Sequence, residues 1–289
     1  MSELRELRED DAEAVSQLFA TSFGGDRLVD AEEIRSWFRN TELRPEWLQV
    51  LEQDGRVVGY GDIQVEEDEV VLDMAAPGYW AAFFDWAEHE AASRRIARVR
   101  VNFPLGHELT DLATSRGYRL WRSSFTMEAP LDDGVTPVLP PGIRLGRYRP
   151  DTDTELLIAA LNDAFAADPM WHTVTPSNFR EYYLGARAFD PSLWFLAWDG
   201  ADLAGFTLAY SERGGDRALG WIGTLGVRPQ WRRAGLGEAL LRAAFAALRA
   251  RGLERVGLGV DTSNATGALR LYERVGMTAV RQADNWIRE

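Results

Sequence analysis

The stretch that decides the fold is GWIGTLGVRPQWRRAGLG, residues 220–237. Gly220 to Val227 reads as a strand, and Arg228-Pro229 ends it. A helix then begins near Leu236, with Leu236, Leu240, Leu241, Ala244, Phe245 and Leu248 on one face at helical spacing. Arg249 and Arg251 sit in its last turn, and Gly252 suits the position just past its end. A glycine-containing loop therefore feeds the N-terminus of an amphipathic helix.

The first N–H groups of such a helix lack internal partners, and the helix dipole places partial positive charge there. This end suits a diphosphate. Gly235 and Gly237 keep Cβ atoms away from approaching oxygens, and Arg232 and Arg233 can add charge. The spacing matches neither a dinucleotide fingerprint, which needs a third glycine, nor a P-loop, which needs Gly-Lys-Ser/Thr. A plain strand-to-helix turn is the competing reading of the glycines alone.

A second element follows, with the strand Arg255–Asp261 in between. Asn264 is followed by Ala268, then Leu271-Tyr272-Glu273 and Gly276-Met277. With Arg232, Gly235 and Gly237 as an Arg-x-x-Gly-x-Gly element, this pair resembles the GNAT superfamily of N-acyltransferases over residues 143–289. The resemblance implies an α/β fold, an α+β mixed sheet that is mostly antiparallel, splayed and flanked by helices. It implies acetyl-CoA as acyl-donor substrate and no metal. Pantetheine would pair with the strand at Leu225, Gly226 and Val227, and one of those amides would polarise the thioester carbonyl. Arg232, Arg233, Gly235, Leu236 and Gly237 would hold the diphosphate, and Asn264 would bind the cofactor through its amide. Tyr272 matches the general acid that protonates the leaving thiolate, since a phenol near pKa ~10 donates to a base of similar strength. The base is not readable. Its usual strand carries Trp221, Gly223 and Thr224 but no acid, and Asp261, Glu212 and Asp216 are the nearest carboxylates in sequence.

The chain also reads as a duplication. Leu131 to Gly142 is rich in Pro and Gly and marks a linker. On either side lie an opening strand, helices, and two strands joined at Asp54-Gly55 in one copy and Asp199-Gly200 in the other. The expected division is residues 1–130, linker 131–142 and residues 143–289. This tandem layout resembles mycothiol synthases and related actinobacterial proteins. At an offset of 159 the first copy places Asp73 at Arg232, Ala76 at Gly235, Gly78 at Gly237, Leu105 at Asn264 and Ala113 at Tyr272. Pro77 interrupts the loop. The first copy is expected to be structural.

Composition narrows the partners. The chain has 289 residues, net charge −13 and no cysteine. An acidic balance disfavours nucleic acid, and three scattered histidines suggest no metal site. No apolar run nears the ~18 residues needed for a membrane span, and the charged start resembles no secretory signal. A cytoplasmic enzyme acting on a small-molecule amine is expected, with no nucleic-acid or membrane partner and the oligomeric state open. Asp168 to His172 is a candidate acceptor lid through Trp171 and His172. Competing readings are a non-catalytic acyl-CoA sensor or scaffold, and a protein N-acetyltransferase.

Overall fold

The Asp54-Gly55 pair has φ of 50° and 77°, the double left-handed turn that joins antiparallel strands with their natural twist. In the computed structural model it links β2 (Leu48–Gln53) to β3 (Arg56–Val65), with Gln53 opposite Arg56. The matching hairpin is displaced by one residue from expectation. Asp199 is the last residue of its strand and pairs with Asp202, so the loop is Gly200-Ala201, with Gly200 at φ 58°. Glycine first and an ordinary residue second is the other favoured two-residue turn. The structure describes residues 2–23, 29–38, 44–66, 68–132, 136–168, 171–186, 188–213, 216–262 and 267–289.

The chain forms two compact units. Unit 1 comprises Met1–Phe125, Asp261–Ser263 and Arg281–Glu289. Its elements run β1 (Ser2–Glu6), α1 (Ala12–Ser22), α2 (Ala31–Trp37), β2, β3, β4 (Glu69–Ala75), α3 (Trp80–Arg94), β5 (Arg98–Pro104) and α4 (Leu109–Ser115), and the chain leaves through β6 (Arg119–Pro130). Unit 2 comprises Thr126–Val260 and Asn264–Val280. After the end of β6 it repeats the order: β7 (Ile143–Arg147), α5 (Pro150–Phe165), α6 (Pro176–Asn178, continuing as a π-helical turn Phe179–Leu184), β8 (Trp194–Asp199), β9 (Asp202–Tyr210), β10 (Leu219–Val227), α7 (Leu236–Arg249), β11 (Arg255–Asp261) and α8 (Ala268–Arg274), and β12 (Thr278–Arg288) closes the chain. Both are mixed α/β units whose only parallel pairings are β4 with β5 and β10 with β11 among the pairings described.

The units do not coincide with a cut at 131–142. Residues Ala283–Arg288 of β12 pair antiparallel with Val99–Pro104 of β5, inside unit 1. The end of β6 lies beside β11 in unit 2, where Leu131 N–H donates to the Glu254 carbonyl at 2.8 Å. Backbone pairing between segments far apart in sequence decides membership, and a proline-rich linker cannot report it.

The core of unit 1 is built on Phe19, Tyr60, Phe83, Phe84 and Phe103, all essentially buried. Gly59 and Gly61 are required there, because a Cβ on either would fall within 3.0 Å of the Phe83 ring. In unit 2, α7 buries Leu236, Leu240, Leu241, Ala244 and Leu248 as its periodicity predicts, while Phe245 borders an open groove of about 660 Å³. No helix among the described residues is long and apolar enough to cross a membrane.

Candidate active site

β10 and β11 run in parallel register only from Leu219↔Arg255 to Ile222↔Leu258. Gly223 then makes a bulge, and Thr224 to Val227 keep pairing with β9 alone. The two parallel strands have separated, leaving one edge of β10 without a partner among the described residues. Arg228 N–H donates to Ala204 O of β9 at 3.0 Å. Successive strand amides alternate in direction, so the N–H groups of Leu225 and Val227 point away from β9, into the opening. Gly226 faces the Phe206 ring, whose atoms would lie 2.1 Å from a Cβ there, so only glycine fits.

Beyond β10 the chain makes a 3-10 turn at Pro229–Trp231. Arg228 fixes it: its Nε donates to Asp163 Oδ2 at 2.6 Å, its guanidinium stacks on Trp231, and Trp231 Nε1 donates to Asp199 Oδ2 at 2.9 Å. Arg233 and Gly235 then take left-handed conformations, with φ of 63° and 84°. Gly235 is the residue preceding α7 and provides no side-chain cap, so the first amides of the helix are left open. A Cβ at Gly235 would meet nothing within 4 Å, so the demand for glycine is conformational. Gly237 also has a packing role. A Cβ there would lie 3.1 Å from Leu271 Cδ2, so this glycine lets α8 pack against the head of α7.

The two arginines also divide. Arg232 Nε donates to Val227 O at 3.0 Å and Nη2 to Ala164 O at 2.7 Å, so it clamps the end of β10 to the end of α5. Arg233 is exposed and has no hydrogen-bond or ion-pair partner among the described residues. Arg232→Ala is therefore expected to lower the melting temperature of the ligand-free protein by a few degrees, the loss of about 1–2 kcal/mol; a residue that only touched phosphate would leave that temperature unchanged.

Leu271 carries the next residue, Tyr272, onto the same region. Tyr272 is 8% exposed, and burial pushes its hydroxyl up to about 12. The structure thus gathers Leu225, Gly226, Val227, Arg232, Arg233, Gly235, Leu236 and Gly237 at the end of β10 and the start of α7, while Tyr272 lies on α8, which packs there through Leu271. Asn264 lies outside the described residues. Trp171 stacks on Phe165 at 4.5 Å and donates to Asn162 Oδ1 at 3.1 Å, so it is packed on α5, and His172 is exposed. Of the carboxylates near in sequence, Asp261 pairs with Arg122 at 2.7 Å within unit 1, and Asp216 pairs with Arg255 at 2.7 Å.

The acetyltransferase (GNAT) family pattern matches residues 156–277. A curated mycothiol acetyltransferase of Salinispora arenicola is 39% identical over 255 residues, covering 79% of this chain and 77% of the relative. The chain belongs to the GNAT family of acetyltransferases. A relative of the same name from Thermobispora bispora is 38% identical over 167 residues, covering 57% of this chain and 55% of its own, so the chain spans about half of that relative's length. Among solved structures, a GCN5-related N-acetyltransferase from Sphaerobacter thermophilus has a TM-score of 0.83 at 25% identity, covering 100% of this chain and 95% of that one. A tandem GNAT protein from the clavulanic acid biosynthesis pathway shares the fold, with a TM-score of 0.72 at 18% identity over 100% of this chain and 98% of that one.

Within this GNAT chain the two copies differ in length as well as residue type. β4 ends at Ala75 and α3 begins at Trp80, leaving residues 76–79, whereas residues 228–235 separate β10 from α7. The offset of 159 aligns α4 with α8, but it misplaces the loop: Asp73 lies inside β4, opposite Asp62 of β3. Trp80, at the head of α3, donates from Nε1 to Glu108 Oε1 at 2.5 Å, and its ring meets His107 edge-on at 5.4 Å. A carboxylate of unit 1 itself therefore lies beside this helix head, where the dipole favours negative charge.

Proposed function

We propose that unit 2 transfers an acetyl group from acetyl-CoA to a primary amine of a small molecule, by direct attack of the neutral amine on the thioester. The observation that carries this reading is the open edge of β10 from Thr224 to Val227, continuous with an uncapped α7 whose head packs against α8. Pantetheine would pair with the Leu225 and Val227 amides as an added strand. The diphosphate would sit at the amides after Gly235, with Arg233 as its side-chain partner. One strand amide would polarise the thioester carbonyl, and Tyr272 would hydrogen-bond the departing sulfur. The likeness to mycothiol acetyltransferases makes a mycothiol-related amine the first acceptor to try.

Free CoA release, followed with acetyl-CoA and a panel of amines, tests the assignment. Turnover with at least one amine is expected; tight acetyl-CoA binding with no turnover on any amine would favour the sensor. Unit 1 is proposed to support the fold without binding acyl-CoA, because its loop is half as long and Glu108 is held by the Trp80 side chain of α3. Calorimetric titration of the full chain is expected to give one acetyl-CoA per chain; two would overturn the structural role.

A further inference from the structure

The face of unit 2's sheet turned away from α7 carries polar groups that acyl-donor binding does not use. Gly205 faces α7, since a Cβ there would touch Leu236 and Leu240. Its cross-strand partner Val227 shares that face, and side chains alternate along a strand. Leu208 and Tyr210 therefore face the other way. Across three strands, Trp194, Leu208 and Thr224 form one row. Tyr183, from the π-helical turn, meets Trp194 edge-on at 6.5 Å and has its hydroxyl near the Thr224 side chain, so Tyr183 arches over that row. Tyr210 also meets Trp194 edge-on, at 6.1 Å, and its ring lies under Gly223, where a Cβ would come within 2.5 Å.

Two features mark this group as more than core. The Trp194 indole is 0% exposed, yet its N–H has no hydrogen-bond partner among the described residues. Buried donors are nearly always paired, and an orphan calls for a water or ligand. Gly223 and Thr224, by contrast, are exposed and half-exposed, and they form the bulge where β10 leaves β11. The phenols, the hydroxyl and the indole are all uncharged. Further along the face Arg213 is stacked at 4.7 Å over Trp221, the cross-strand partner of Tyr210.

We propose that Tyr183, Tyr210, Thr224 and Trp194 form the pocket for the body of the acceptor, and that they select an amine carried on an uncharged, hydroxyl-bearing ring. Aromatic faces suit the carbon skeleton of such a ring. The phenols, Thr224 and the indole N–H suit its hydroxyls, directly or through one water. A carboxylate or second ammonium would lose its hydration without gaining an opposite charge. The identification of this face with the acceptor side rests on acyl transfer at β10, while the pocket's preference is tested without turnover.

Ligand-observed NMR on the full chain saturated with CoA provides that test, using 2-aminocyclohexanol, cyclohexylamine, 4-aminobutyrate and putrescine as probes. 2-Aminocyclohexanol is expected to bind at least about tenfold more tightly than 4-aminobutyrate or putrescine. Tyr183→Phe, which removes only a hydroxyl, is expected to weaken 2-aminocyclohexanol about five- to tenfold and to leave cyclohexylamine and CoA unchanged. Equal or tighter binding of either charged probe, equal effects of Tyr183→Phe on both ring amines, or no binding of any probe would overturn the pocket. CoA release on the same samples separates the two ideas: a preserved ranking without acetyl transfer contradicts the transferase reading alone, and acetyl transfer with the ranking reversed contradicts the pocket alone.

Discussion

Tyr272→Phe is expected to lower kcat about a hundredfold and to leave acetyl-CoA affinity within about twofold. The hydroxyl has no protein hydrogen bond among the described residues, so its removal leaves no partner stranded and the fold is undisturbed. Burial sets the size of the effect. With the phenol pushed up to about 12 by burial, it gives up its proton less readily than an ordinary phenol does. On the proposed mechanism Tyr272 would act mainly as a hydrogen-bond donor to the developing negative charge, with the proton completing its move late. This favours the lower end of the range found for general acids. The sign of the pH effect is also fixed. The useful form is the protonated one, and a raised pKa keeps it protonated as pH rises. The kcat profile of the wild type should show no loss due to Tyr272 until pH approaches about 12. Measurement of kcat for both proteins across pH 7 to ~11 checks this. An equally fast Tyr272→Phe would remove the residue from the chemistry. A wild-type decline near pH ~10 that vanishes in the variant would show the phenol to be unburied during catalysis.

Gly235→Asp is expected to weaken acetyl-CoA binding by at least about a hundredfold. Charge-assisted hydrogen bonds contribute about 1.5–3 kcal/mol each, and two lost to a diphosphate amount to a factor of ~10² to ~10⁴. The new carboxylate also repels phosphate and competes for the same amides. The fold tolerates the change, because the Cβ enters open space and aspartate is among the residues that visit the left-handed region. A fall of a few degrees in melting temperature is the expected cost of φ near 84°. Gly235→Asn serves as the control of similar shape without charge, and the gap between the two dissociation constants isolates the electrostatic part. Calorimetry on the wild type and the two variants gives those constants. Equal affinity in the wild type and the Gly235→Asp variant would mean that the head of α7 holds no anion.

Local pattern carries most of the legible fold. The periodicity of Leu236 to Leu248, the turn glycines and the punctuation at Arg228-Pro229 each act within a few residues, and the elements form where they predict. Positive φ at Gly235 is not implied by that pattern, because the residue before a helix is ordinarily extended. Three features depend on distant partners and lie beyond local pattern. The exchange of terminal strands is settled by backbone pairing between β12 and β5, which leaves no mark on side-chain pattern; it also means that a fragment ending at residue 130 would lack a strand of unit 1. The place of Arg232 in the loop points to phosphate, yet its two carbonyl partners come from residues 227 and 164. The short loop of unit 1 is hidden when an ungapped offset that fits α4 and α8 is extended across a length change. A signal is present there: Trp80 and Phe83 fit the start of a helix four residues earlier than a full-length loop allows.

The claim on which the function rests is that the amides opening α7 hold the diphosphate of CoA. A crystal structure of the full chain with CoA tests it most directly. Diphosphate oxygens within about 3 Å of the backbone nitrogens that follow Gly235, with pantetheine alongside Leu225 and Val227, are the predicted result. A nucleotide bound at the head of α3 or elsewhere, with the first turn of α7 meeting only water, would contradict it.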